Sequence, residues 1–304
     1  MLNSFRFHYM YLFLLSVIFF AIVKDRKWFV LSLIGFTLNL WFVFPFLYPV
    51  FSKPVEAGMM SEVPLRVMMS NVLTSNSDKD TLVNLVRTLQ PDIVVLLEIN
   101  QQWVKSLEDL EDIYTFKRFI PEDNNFGIGI MSKYPLENMK VMRFSHLSIP
   151  SIVADVRFME NKTVHIVATH PLPPISLNYH KNRNVHFQRL AAYMASVKGS
   201  KIVVGDFNTT MFSPYYSKFI ADSGLVSGSQ DFGIQPTWLA FLPFFRIQLD
   251  YLFVDSGTAV KHFEVLPAIG SDHFPIFCEL IPDYNSPSGY NSSSGDNRPS
   301  GDVQ

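Results

Sequence analysis

Lys201-Ile202-Val203-Val204-Gly205-Asp206-Phe207-Asn208 is a short apolar run that breaks into a turn carrying a carboxylate and a carboxamide. An apolar run bounded by turn residues reads as a buried strand. A strand end followed by a turn presents its polar groups together in a crevice, where hard oxygen ligands can meet a metal or orient a water. Alone, Gly205–Asn208 is as readily an ordinary turn, because Asp and Asn favour turns for backbone reasons of their own. The surroundings decide between the two. From Pro64 onward short apolar runs alternate with amphipathic segments, the pattern of an α/β domain. Strands are predicted at Leu65–Met69, Ile93–Leu97, Ile128–Met131, Ile152–Phe158, Val164–Ala168, Ile202–Val204, Leu249–Val254 and Pro275–Leu280. Helices are predicted at Thr81–Leu89, where Leu82, Leu85, Val86 and Leu89 share a face, and at Asn184–Val197, where Phe187, Leu190, Met194 and Val197 align. No internal repeat is visible, and residues 283–304, rich in Ser, Gly, Asn and Pro, are expected to be a disordered tail.

Composition supports a substantial core: 48% of the 304 residues are apolar, with 19 Pro and 14 Gly. The formal charge of 25 minus 27, or −2, supplies no long-range attraction for polyanions and weighs against a protein that coats nucleic acid. Cys278 is the single cysteine, so no intramolecular disulfide is possible and neither redox compartment is excluded.

Two uncharged apolar runs open the chain, roughly Phe7 to Val23 and Trp28 to Phe51, with Lys24-Asp25-Arg26-Lys27 between them. About 20 apolar residues cross a bilayer as a helix, so the second run is long enough and the first lies near the lower limit. Tyr9, Tyr11, Trp28, Trp41 and Tyr48 sit near the edges, where headgroups favour aromatic rings. A cleaved signal peptide would need a basic start and a small-residue cleavage site; Arg6 is a weak start and no convincing site follows. Residues 1–58 are therefore expected to be a membrane anchor of two transmembrane helices. Lys24, Arg26 and Lys27 are the densest cationic group, which places the turn in the cytoplasm and both hairpin ends outside; Arg6, Lys53 and Arg66 on the other side narrow the margin.

Further chemistry-bearing residues stand at the ends of other predicted strands. Glu98 follows Asp92-Ile93-Val94-Val95-Leu96-Leu97, and a carboxylate after so apolar a run needs a partner, a divalent cation or a salt bridge. His273 and Asp272, in Ser271-Asp272-His273-Phe274-Pro275, adjoin another apolar run, where a carboxylate can orient and charge an imidazole. Asn71, His170 and Asp250 occupy comparable positions after or at the start of their strands. Each has an ordinary turn or cap reading by itself. It is the recurrence of a polar, chemically capable residue at the edge of strand after strand that points to a shared site.

In order and spacing, Ser70-Asn71-Val72, Leu97-Glu98, Gly127-Ile128-Gly129-Ile130-Met131-Ser132-Lys133-Tyr134-Pro135, Thr169-His170, Gly205-Asp206-Phe207-Asn208, Leu249-Asp250-Tyr251 and Ser271-Asp272-His273 resemble the endonuclease/exonuclease/phosphatase (DNase I-like) superfamily. The likeness spans about residues 64–282. It implies an α/β fold, a four-layered sandwich of two mixed β-sheets flanked by helices, and a metal-dependent phosphoesterase. By the same resemblance Asn71 and Glu98 would hold Mg2+ or Mn2+, with Asp272 in support. Asp206 and Asn208 would orient or deprotonate the attacking water, His273, polarised by Asp250, would assist at the phosphate oxygens, and His170 would bind a non-bridging oxygen. Three departures stand out. Leu73 occupies a place that is acidic in some nuclease members. Arg246-Ile247-Gln248-Leu249-Asp250 leaves the role of Arg246 open. Val204 before Gly205 and Thr209-Thr210 after Asn208 lack the Trp-containing pattern of inositol polyphosphate phosphatases.

Substrate is less legible. Pro236-Thr-Trp-Leu-Ala-Phe-Leu-Pro-Phe-Phe245 would suit a loop that dips into a membrane, or else fill the core of the sandwich. His180-Lys181-Asn182-Arg183, His186 and Arg189 could contact phosphate or form a solvated helix start. A tethered hydrolase meets esters in or beside the bilayer at high local concentration, so a lipid-linked phosphate is the natural candidate. A nuclease acting on DNA or RNA, and an inactive scaffold binding a phosphorylated partner, are the alternatives; a binder would need positive charge but not this acid–base set.

Overall fold

A computed structural model describes residues 2–47, 63–159 and 162–283. The expected tail from 284 on, Tyr48 and the end of the anchor lie outside the described residues. The elements are α1 (Arg6–Ile22), α2 (Arg26–Leu47), β1 (Leu65–Asn71), α3 (Asp80–Leu89), β2 (Ile93–Leu97), α4 (Gln101–Ser106), β3 (Phe116–Ile120), β4 (Ile128–Ser132), β5 (Leu136–Met142), β6 (Ser151–Met159), β7 (Lys162–Thr169), α5 (Leu177–Ser196), β8 (Lys201–Asp206), α6 (Pro214–Ser223), β9 (Leu225–Ser227), β10 (Asp250–Asp255), β11 (Ala259–Val265) and β12 (Ile276–Ile281).

The strands form two six-stranded mixed sheets, ordered β11-β12-β1-β2-β4-β3 and β5-β6-β7-β8-β10-β9. Each sheet contains one parallel pair, β1 with β2 and β7 with β8, and each pair is joined through a helix, α3 or α5. The remaining pairings are antiparallel. Alternate side chains of the two sheets, among them Val67, Val95, Ile152, Ile166, Val204 and Leu252, interleave in a core between them. The intervening side chains face outward under helices. Met68, Val94 and Leu96 meet Leu82, Val86 and Trp103 of α3 and α4, while Val167, Val203 and Phe253 meet Phe187, Leu190 and Phe219 of α5 and α6. Four layers result, as expected, and the central strands are buried on both faces. That double burial is why they read as unbroken apolar runs.

Of the described helices one, Arg26–Phe46, is long and apolar enough to cross a membrane. The α1 helix is apolar but has 17 residues, about 25 Å of rise against a hydrocarbon core of about 30 Å. By length and composition, then, α2 meets the requirement for a span and α1 does not. Nonetheless α1 lies back along α2: Ser16 Oγ and Ser32 Oγ are 2.9 Å apart, and Phe20 stacks on Trp28.

Candidate active site

Strand register brings the expected residues to one end of both sheets. In the first sheet Asn71, the last residue of β1, pairs with Leu97, so Glu98 stands one residue beyond that rung. In the second, Thr169 pairs with Gly205 and Asp250 with Asp206, which sets His170, Asp206 and Asp250 side by side. Gly205 is required by closeness: a Cβ there would fall 1.8 Å from the Thr169 carbonyl oxygen. His273 arrives from the loop before β12. Its N–H donates to Ser271 Oγ (3.1 Å), and the Ser271 hydroxyl donates to the Asn71 carbonyl (2.8 Å), tying the loop to β1.

Asp206 is the meeting point of the two sheets. Its Oδ2 accepts from Asn71 Nδ2 at 3.3 Å and lies 3.5 Å from His170 Nε2 and 3.6 Å from His273 Nε2. Asn71 Nδ2 also donates to Glu98 Oε1 at 2.9 Å, and its own oxygen accepts from the Leu73 N–H. On the opposite side His273 Nδ1 is 2.7 Å from Asp250 Oδ2. Asn208 donates from its backbone to Asp206 Oδ1 at 2.8 Å, and its side chain lies 3.3 Å from His170 Nε2. Glu98 and Asn208 adopt positive φ, +62° and +48°, a costly conformation for such residues that persists where the surroundings hold it. Asp272 stands slightly apart: one of its oxygens accepts from Trp238 Nε1 at 2.9 Å.

The electrostatics follow from burial and pairing. Burial alone would depress the His273 imidazole, but the Asp250 and Asp206 carboxylates outweigh it and push it up to about 10. Burial opposes the charge on His170 as well, and its hydrogen bond with Asp206 overcomes that and raises it. Asp206 is correspondingly held below the usual carboxylate range, since the two histidines outweigh its desolvation. Burial raises Asp250 and Glu98.

A divalent cation fits this donor set. Glu98 Oε2 is buried without a hydrogen-bond partner, as is Asp250 Oδ1, and a buried carboxylate oxygen in that state is a ligand in need of a cation. Asp206, Asp250 and His273 also have ligand atoms within 4.8 Å of one another. In that trio, however, the contact between His273 and Asp250 is already a short hydrogen bond, so the Glu98 side is the better opening.

Several supports are not legible in the sequence. Thr237 Oγ1 accepts from the backbone N–H of Leu249 and of Asp250, both at 3.1 Å, and so positions Asp250. Buried His186 bonds Thr169 at 2.8 Å and is pushed down to about 3 by burial, hence neutral. Arg183, also buried, donates to the Asn208 carbonyl at 2.7 Å. These two residues, read as possible phosphate contacts, brace the site from behind instead. Arg189 points elsewhere, 3.4 Å from His146. Arg246 donates to the Ala240 carbonyl at 2.7 Å and braces a loop. The Pro236–Phe245 segment is neither wholly core nor wholly free: Thr237 and Ala240 are buried, while Phe241, Leu242, Phe244 and Phe245 are exposed.

Residues 68–273, more than half of the chain, match the family described as Endonuclease/Exonuclease/phosphatase. The chain belongs to that family. It is accordingly a metal-dependent hydrolase of ester bonds. Solved structures share the fold at low identity. Danio rerio TDP2 complexed with a single-strand DNA product superposes with a TM-score of 0.63 at 16% identity, covering 72% of this chain and 100% of that one. An endonuclease/exonuclease/phosphatase from Beutenbergia cavernae gives 0.61 at 21%, covering 72% of each chain. Sphingomyelinase C from Streptomyces griseocarneus gives 0.55 at 16%, covering 72% of this chain and 99% of that one. No curated protein matches the sequence significantly. The breadth of these substrates leaves the choice of ester to the site of this family member itself.

Proposed function

We propose that the chain is a membrane-tethered phosphoesterase that uses Mg2+ or Mn2+ to hydrolyse a phosphodiester or phosphomonoester. One observation carries the reading: a single oxygen, Asp206 Oδ2, has Asn71, His170 and His273 within 3.6 Å, from strand ends of both sheets. Groups able to hold a cation and groups able to handle protons are thereby focused on one point.

Asn71 and Glu98 would hold the cation, with Asp272 in support, and the unpartnered Glu98 Oε2 favours that assignment. When bound, the cation withdraws charge from a phosphoryl oxygen. Asp206, fixed by the Asn208 backbone, orients the attacking water and takes its proton as the new O–P bond forms and the ester P–O bond breaks, and the leaving oxygen takes up a proton from solvent. His273, kept protonated by Asp250, donates to a phosphoryl oxygen, and His170 donates to a second. Donors fixed before the reaction stabilise the charge that develops in the transition state, usually a large part of catalysis.

The α2 helix anchors the protein with α1 alongside, the Lys24–Lys27 turn on the cytoplasmic side and the catalytic domain on the other. A topology reporter fused after Gly58 tests that orientation. No Lys or Arg is among the residues lining the cavity over Asp206, a poor lining for a polynucleotide, whose binding is driven by neutralising phosphates. Purified full-length protein should hydrolyse bis-p-nitrophenyl phosphate in Mn2+ or Mg2+ and stop on chelation. A folded, metal-binding protein that turns over no soluble ester, nucleic acid, lipid or sugar phosphate would make it a scaffold instead.

A further inference from the structure

We infer that the active-site mouth opens onto the surface of the bilayer that holds the helical hairpin, and that its substrate is a phosphoester of a lipid in that bilayer; the substrate part rests on the phosphoesterase reading above.

The ring contacts between hairpin and catalytic domain lie at one end of the hairpin. Phe7 and Phe46 each meet Phe212 edge to face, at 5.3 and 5.2 Å, and the His8 ring stacks on Phe245 at 5.9 Å and donates to the Phe244 carbonyl. The charged turn Lys24-Asp25-Arg26-Lys27 is at the far end. A helix that crosses a bilayer begins and ends in its headgroup layers, so the domain loops that grip residues 7, 8 and 46 lie at headgroup depth.

The cavity is built into this same contact. It has a volume of about 600 Å3, and Ser4 and Phe5 form part of its wall beside Glu98, Asp206 and His273. Asp206 and His273 are buried at its base, while Phe126, Pro173, Ile175, Trp238 and Ile247 give it an apolar side. Two loops next to the mouth carry large apolar side chains into the open: Ile175 and Leu177 are 71% and 82% exposed, and Phe241 and Phe244 are 67% and 88% exposed. Aromatic and aliphatic groups clustered in this way, continuous with the end of a bilayer-length helix, fit the headgroup and upper acyl region. A lipid phosphate reaching Asp206 would keep its acyl-bearing arm against the apolar side. A polynucleotide would find no Lys or Arg along the described lining to neutralise the phosphates on either side of the one held at Asp206.

The test uses full-length protein reconstituted in phosphatidylcholine vesicles. Cys278 is buried and is the single cysteine, so an introduced surface thiol takes a label alone. A fluorescent dye on Phe244→Cys should be quenched by lipids carrying nitroxides on their acyl chains more strongly than the same dye on Lys198→Cys, an exposed site just before the start of β8 and so at the other end of the sheet. Equal quenching would overturn the seating. Vesicles of phosphatidylcholine, phosphatidylglycerol and phosphatidylinositol with Mn2+ should release a cleaved lipid or headgroup. In the Phe244→Ser, Phe245→Ser double variant, which keeps the hairpin but removes apolar side chains that would seat the mouth on the bilayer, that release should fall at least about tenfold relative to turnover of bis-p-nitrophenyl phosphate. Cleavage of single-stranded DNA without any lipid cleavage, or an unchanged ratio in the double variant, would overturn the lipid assignment. An unaltered protein that fails on the soluble ester as well would refute the phosphoesterase reading, and with it the lipid substrate, while the dye measurement would still decide the seating.

Discussion

Asp206, Asp250 and His273 form a chain in which each group sets the state of the next. Asp250 binds Nδ1 of His273 at 2.7 Å, leaving Nε2 directed at Asp206 from 3.6 Å. Replacing Asp206 or His273 by Ala should lower turnover by at least about a hundredfold, the usual scale for acid–base and electrostatic groups. A near-normal rate in either variant would refute its role. The imidazole also makes a pH-dependent contribution to stability. Its folded pKa of about 10 lies above its ordinary value of 6.5, so the stabilisation is complete below that ordinary value and is lost as pH rises through the folded one. In metal-free protein the His273 ring should therefore remain protonated at neutral pH in an NMR titration. Asp250→Asn, which removes the nearest carboxylate, should bring the midpoint down by at least about one unit.

At the scale of elements, the two parallel pairs place the site and short irregular segments hold it there. The β7–β8 pair brings the backbones together at Gly205 and Thr169. Gly205→Ala should destabilise the fold by about 3 kcal/mol or more, because neither backbone can move aside without disturbing the sheet; chemical denaturation measures this. Thr237 contributes differently, since its hydroxyl serves the Leu249 and Asp250 N–H groups at once. Thr237→Val leaves both without their acceptor and should cost about 1–3 kcal/mol. Turnover should fall too, as Asp250 loses its alignment with His273.

For the whole molecule, the two sheets meet around clustered carboxylates, and a cation that binds there stabilises the folded state by mass action. Mn2+ at a hundredfold excess over its dissociation constant should add about 2.7 kcal/mol, visible as a rise in Tm. Glu98→Gln should abolish most of that rise while the variant remains folded. The three hydrophobic clusters that hold the sandwich contain no buried residue before Leu65. Among the described residues the hairpin accordingly adds nothing to these three clusters.

The central strands and the polar residues at their ends were legible in the sequence, because a strand covered on both faces must be apolar throughout and a capable side chain just past its end is conspicuous. The four strands that escaped sequence reading, β3, β5, β9 and β11, are the four sheet edges. Three of them mix charged and apolar residues, as in Leu-Glu-Asn-Met-Lys-Val-Met of β5, and β9 is only the three residues Leu225–Ser227, too short to show a period. The α5 helix begins at Leu177, well before the predicted Asn184, since Ser176 caps a polar first stretch that carries no apolar period. The α6 helix did have a signal, Ser213 as cap and Pro214 at the first position. What only tertiary structure decided was the meeting of the two sheets at Asp206, the bracing by Thr237, Arg183 and His186, and the placement of the hairpin beside the mouth. Those depend on distances between residues 200 or more positions apart, as for Asn71 with Ser271 and His8 with Phe244, and local sequence pattern carries no information about such distances.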